Sequence, residues 1–116
     1  MLVSTGAGST GWLSSMFNMA AGLATFTGGK SGAPMKLEWE DPRLVFVVRE
    51  PFASRHSKIG MVAGVLKPGE TLVLESQMPS GGVIFSDGVE ADALGFNSGA
   101  TARIAAAQQR TQLVVG

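Results

Sequence analysis

Leu44-Val45-Phe46-Val47-Val48, followed closely by Pro51, carries the clearest fold signal in the chain. Five apolar residues in unbroken succession, mostly β-branched and soon halted by proline, read as a short strand covered on both faces. Toward the C-terminus, further strand candidates run from Gly60 to Leu66, Thr71 to Glu75, Gly82 to Ser86, Val89 to Ala93, Ala100 to Ala105 and Thr111 to Val115. Pro68-Gly69, Pro79-Ser80-Gly81-Gly82, Asp87-Gly88 and Asn97-Ser98-Gly99 separate them. Each is a turn signal, because proline presets φ while Gly and Asn accept the left-handed conformation that tight reversals need. Upstream, Met35 to Glu40 alternates partially and is a further candidate. Strands ~8 to 12 residues apart leave no room for crossover helices, so the expected fold is mainly β, an antiparallel β-sandwich or barrel. The chain contains no internal repeat.

The N-terminal quarter differs. From Ser9 to about Leu23 the apolar residues Trp12, Leu13, Met16, Phe17, Ala20, Ala21 and Leu23 recur at helical intervals, with Ser14, Ser15 and Asn18 on the other side. This predicts one N-terminal α-helix, ended by the glycines from Gly22 to Gly32 and by Pro34. Ahead of it lies Ser4-Thr5-Gly6-Ala7-Gly8-Ser9-Thr10-Gly11-Trp12. Such a turn brings backbone close to a ligand, offers helix-start N–H groups to electron-rich atoms, and adds hydroxyls that donate and accept. Only Met1-Leu2-Val3 precedes it, short of a usual strand of ~5 to 6 residues, so the expectation is a fragment whose upstream half is absent.

A length of 116 residues with 45% hydrophobic side chains suits one folded domain, residues 1-116. Nine Lys and Arg balance nine Asp and Glu without a basic run, which argues against a general nucleic-acid binder or an anionic-membrane binder. Zero Cys removes disulfides and thiolate chemistry and suits a cytoplasmic setting, and a single His leaves no imidazole cluster for zinc. No charge occurs from Met1 to Gly29, yet polar residues interrupt that segment too often for the ~18 consecutive apolar residues of a membrane span. The segment therefore expects cover by another domain or another subunit.

Gly6-Ala7-Gly8-Ser9-Thr10-Gly11 satisfies the Rossmann glycine pattern, but that unit also needs a full preceding strand, a parallel strand after the helix and an acid ~20 residues on. The first acid here is Glu38, and antiparallel signals follow it. Gly29-Lys30-Ser31 resembles the end of a P-loop, but Ala24 stands where that loop requires glycine. Arg55 and His56 lie in the one local basic cluster, Arg49 to Lys58, and are candidates for contact with phosphate, ribose or a neighbouring subunit, against a solvated loop as the alternative. Asp87, Glu90 and Asp92 could be imagined as a metal or acid/base group, but the Asp-Gly hairpin signal accounts for them.

Ser4-Thr5-x-x-Gly8-Ser9-Thr10-Gly11-Trp12 resembles the S-T-x-T-G-S-T-A-Y segment of the NAD kinases that use ATP or polyphosphate. The similarity continues in order through Val48 to Ser54, a strand of the Thr71-Leu72-Val73-Leu74 type and Val83-Ile84-Phe85-Ser86-Asp87-Gly88, and so spans most of the chain. The resemblance implies the C-terminal domain of that family, a β-sandwich that holds NAD against an N-terminal α/β domain. It further implies that Thr10 and the Gly11 backbone lie against the dinucleotide, that Trp12 supplies the flat surface given by Tyr in the family, and that Ser15 approaches the nicotinamide end. Ala7, Gly11, Trp12 and Phe52 depart from the family's Thr, Ala, Tyr and His, and mark a divergent branch. The G-G-D-G-T loop with the family's base is absent from these residues.

The reading that follows is the dinucleotide-binding and oligomerisation half of an NAD kinase-like phosphotransferase, whose reaction puts a phosphoryl group on the adenosine-ribose 2′-hydroxyl of NAD to give NADP. Ser9, Thr10, Gly11, Trp12 and Ser15 are its nucleotide-contact candidates, with Arg55 and His56 behind them. NAD is the substrate, and ATP or polyphosphate with Mg²⁺ belongs to the full-length enzyme. The chain by itself is expected to be inactive, with no catalytic or metal-binding residue of its own. Its partners are the missing N-terminal domain and further copies in a homo-oligomer. The competing readings are a non-catalytic β-sandwich interaction module, a Rossmann oxidoreductase fragment, and a kinase-like domain acting on a lipid or sugar acceptor.

Overall fold

A computed structural model describes the chain apart from residues 34, 57, 87–89, 113 and 116 and the side chain of Glu90. It resolves into two units, Met1–Gly69 with Ala106–Gly116, and Glu70–Ala105. The first contains β1 (Leu2–Ser4), α1 (Trp12–Phe26), β2 (Leu44–Val47) and β3 (Ala63–Leu66). The second contains β4 (Leu72–Glu75), β5 (Val83–Ile84), β6 (Leu94–Gly95) and β7 (Thr101–Ile104). Among the described residues the protein is mostly β with one α-helix, and every sheet is antiparallel. No helix is long and apolar enough to cross a membrane.

In the first unit β2 is the central strand, with β1 and β3 on its two sides. Val3 pairs with Phe46 and Ser4 with Val45, while Phe46 also faces Gly64 and Leu44 faces Leu66. The neighbours Val45 and Phe46 point to opposite sides of the sheet and are both buried, so this strand is covered on both faces as its unbroken apolar run predicts. Gly64 is required by that burial: the Phe46 ring occupies the space where a β-carbon at position 64 would stand. Leu13 carries α1 into the core and is the largest fully buried side chain among the described residues.

The helix begins and ends three residues later than Ser9 to Leu23. Ser9 and Gly11 are held in turns by amides donating to Gly6 and Gly8 carbonyls, which delays the start. Gly22 sits inside the helix, where glycine is tolerated, and the stop comes at Gly28, whose φ of +82° closes the C-terminus with its amide on the Thr25 carbonyl. Met35 to Glu40 is not a strand: its described backbone is irregular, and Glu38 closes a turn by accepting from the Asp41 amide.

In the second unit β4 and β7 pair in register from Leu72 with Ile104 to Glu75 with Thr101, and β5 pairs with β6. The buried Ser76 hydroxyl donates to the Phe96 carbonyl at 2.6 Å, and the Asn97 side chain accepts from the Gly82 amide at 2.8 Å. The first bond ties the β6 side of the β5–β6 pair to the end of β4, and the second links the start of β5 to the segment after β6. Glu90–Asp92 is a single 3₁₀ turn, so the strand expected from Val89 to Ala93 does not form there. The proposed Asp87-Gly88 hairpin lies outside the described residues, and so does part of the imagined Asp87, Glu90 and Asp92 group. The described residues between Thr111 and Val115 are not strand either, and Val114 and Val115 are exposed. An apolar run without a paired neighbour satisfies neither its backbone nor its side chains, so propensity alone does not make a strand there.

Asp41 and Arg43 form a bidentate pair at 2.9 and 2.7 Å, and the Arg43 amide adds a third bond to the same carboxylate at 3.0 Å. The Arg43 side chain, then its amide, hold the Asp41 carboxyl down at about 2 against an ordinary 3.8. A carboxyl depressed on folding stabilises the fold above its unfolded value and loses that contribution as pH falls through its folded value. Asp41→Asn therefore lowers Tm at neutral pH, and the gap from wild type closes between pH 3.8 and about 2 in thermal melts followed by circular dichroism.

Candidate functional site

The glycine-rich turn links β1 to α1 and winds largely on itself. The Gly8 amide donates to the Thr5 hydroxyl at 3.1 Å, the Ser9 amide and hydroxyl both donate to the Gly6 carbonyl, and the Gly11 amide donates to the Gly8 carbonyl. Gly6 is buried where the Glu38 carbonyl lies over it, leaving no room for a β-carbon. The amides of Gly8, Ser9 and Gly11 thus close the turn rather than face a ligand. Outward the turn presents Thr5, Ala7, Gly8 and Thr10, all exposed, and the start of α1, whose N-cap Gly11 supplies no side-chain cap.

Trp12 opens the helix and stays half-exposed at 54%. The Arg49 guanidinium carbon stands 5.4 Å from its ring centroid, a cation–π contact of about 0.5 to 1 kcal/mol at an exposed site. Below this pair is an open cavity of about 320 Å³ lined by Trp12, Ser15, Met16, Met19, Arg49 and Glu50. The helical repeat puts Ser15, Met16 and Met19 one and two turns beyond Trp12, so one helix side forms a wall. The opposite wall is the segment just past β2. Its rim offers one cation and one carboxylate beside a hydroxyl and an aromatic plane.

That volume lies at the small end of the ~300 to 1,000 Å³ typical of ligand sites, room for a base and ribose rather than an entire dinucleotide. Of the residues expected to touch nucleotide, Trp12 and Ser15 line this cavity. Ser9, Thr10 and Gly11 precede it in the turn without lining it, with the Ser9 hydroxyl donating to Gly6. Arg55 and His56 are exposed further along the loop after Pro51, where the His56 amide donates to the Ser54 hydroxyl, and neither lines the cavity. Arg49 and Glu50 were the residues missed as individuals. They belong to the same sequence cluster, but only the antiparallel pairing of β2 with β1 carries the end of that strand back beside α1. Among the described residues no three His, Asp or Glu side chains gather into a group able to hold a metal ion.

Compared with family models, with curated proteins and with solved structures, the chain matches none of them.

Proposed function

We propose that this chain is the dinucleotide-binding half of an NAD kinase-like enzyme, with the cavity beside Trp12 receiving one nucleoside end of NAD. The observation that carries the reading is the Trp12–Arg49 pair over a cavity of nucleoside size. An indole plane and a guanidinium suit a flat heterocycle, while Ser15 and Glu50 suit ribose hydroxyls or exocyclic amines by donating and accepting hydrogen bonds. In this reading the chain is a β-sandwich domain of the NAD kinase C-terminal type. The phosphoryl donor, ATP or polyphosphate, and its magnesium ion then bind to residues of the N-terminal α/β domain in a cytoplasmic enzyme. This chain's residues bind and orient the acceptor, and no step of phosphoryl transfer is assigned to them.

Tryptophan fluorescence tests the reading. The second indole, Trp39, is 67% exposed and lies outside the cavity lining, so Trp39→Phe isolates the Trp12 signal. NAD is expected to quench that signal saturably. Arg49→Ala weakens binding by roughly tenfold, about 1.4 kcal/mol for one lost stacking partner, and Trp12→Ala removes detectable heat in calorimetry with NAD. Absence of saturable quenching and of heat with NAD overturns the reading, and heat with a lipid headgroup or sugar instead supports the kinase-like alternative.

A further inference from the structure

The helix has two apolar faces and its own unit covers one of them. With about 100° between successive residues, Leu13, Phe17, Ala21 and Ala24 share the inner face, on which Leu13 is 1% exposed. Trp12, Met16, Met19, Leu23 and Phe26 fall on a second stripe, at intervals of four, three, four and three residues. That is the 3.5-residue spacing of a helix–helix seam. Trp12, Met19, Leu23 and Phe26 are 54%, 57%, 55% and 86% exposed, and α1 contains no charged residue.

The seam is nearly symmetric about its centre. Trp12 and Phe26 stand seven residues to either side of Met19, with Met16 and Leu23 between. An identical helix laid antiparallel across it, with a two-fold axis near Met19, sets Trp12 against Phe26 of the second copy, Met16 against Leu23, and Met19 against Met19. A two-fold interface requires such self-matching, in which residue i meets j and j meets i. The aromatic ends pair, and the flexible thioethers meet where the helices approach most closely. At those exposures the four side chains offer roughly 500 Å² per copy, so a pair that covers them fully buries on the order of 1,000 Å², the lower bound of a specific interface.

We infer that a second copy of this chain docks antiparallel along α1 through Trp12, Met16, Met19, Leu23 and Phe26, forming a weak two-fold dimer with Kd on the order of 1 to 100 µM. Trp12, Met16 and Met19 also line the cavity, so the second copy covers one wall of it, and dimerisation and occupancy of the cavity compete for that side of α1. The inference stands on the spacing and exposure of the seam and does not depend on which ligand the cavity takes.

Sedimentation equilibrium on the full chain over a range of concentrations tests it. Wild type is expected to pass from monomer to dimer. Met19→Glu places like charges across the axis and raises the dimer Kd more than tenfold, while an equimolar mixture of Met19→Glu and Met19→Lys restores association. Because the chain has no cysteine, Met19→Cys gives a readout that does not rely on tolerance of a charge. It is expected to form a disulfide-linked dimer under mild oxidation, whereas Asn18→Cys, about 100° round the helix, crosslinks poorly. A chain that stays monomeric throughout, or a dimer indifferent to Met19→Glu and uncrosslinked at Met19→Cys, overturns the inference.

Discussion

Leu13→Ala is expected to lower the unfolding free energy by about 3 kcal/mol, within the range of roughly 2 to 5 kcal/mol for truncating a buried leucine. Leu13 is the residue through which α1 enters a core whose other buried apolar members are Val45, Phe46 and Leu66. The rest of the helix contributes little cover, since four of its large apolar residues face outward. The remaining contacts therefore close over the void only in part, which keeps the loss above the lower end of that range. Urea unfolding followed by circular dichroism checks this, and in a Trp39→Phe background the near-ultraviolet signal of Trp12 should be lost at lower denaturant than the β-sheet signal as α1 detaches. A loss below 1 kcal/mol contradicts this account of how the helix is anchored.

Gly6→Val is expected to destabilise by on the order of 1 to 3 kcal/mol, the usual cost of overpacking, and to displace the start of α1. The obstacle at Gly6 is the backbone carbonyl of Glu38, which cannot swing aside as the end of a long side chain can. Either the turn or the segment from Glu38 to Arg43 must move. Because the Gly6 carbonyl accepts both the amide and the hydroxyl of Ser9, movement there also disturbs the turn leading to Trp12. Thermal melts should show a lower Tm, and in a Trp39→Phe background the Trp12 fluorescence maximum should shift as its contact with Arg49 changes. In contrast, Gly22→Ala should raise helix stability by about 0.5 to 1 kcal/mol, since open space surrounds that position within the helix.

The Gly6 geometry alters what the glycine-rich motif means. In the sequence its glycines suggest exposed amides for a ligand; in the fold several of those amides satisfy the turn itself, and Gly6 permits close approach of another chain segment. Both uses follow from a missing β-carbon, and local sequence cannot separate them, because the second depends on a carbonyl 32 positions away in the chain. The aromatic and hydroxyl parts of the motif are different. Trp12 and Ser15 line a cavity, but the partner that gives Trp12 its chemistry, Arg49, comes from beyond β2.

Some features needed nothing beyond residue order. The apolar run of β2, the turn signals that separate the later strands, and the helical spacing after Gly11 report preferences of a few neighbouring residues, and the antiparallel β character with one helix follows from their succession. Pairing partners decided the rest. Thr111 to Val115 and Met35 to Glu40 have strand-compatible composition but remain irregular where described, and only three-dimensional packing shows that Leu13 points inward while Trp12, Met19, Leu23 and Phe26 point out. Periodicity tells which side chains share a helix face, but burial depends on what the rest of the chain brings against that face, and that is a property of the folded molecule alone.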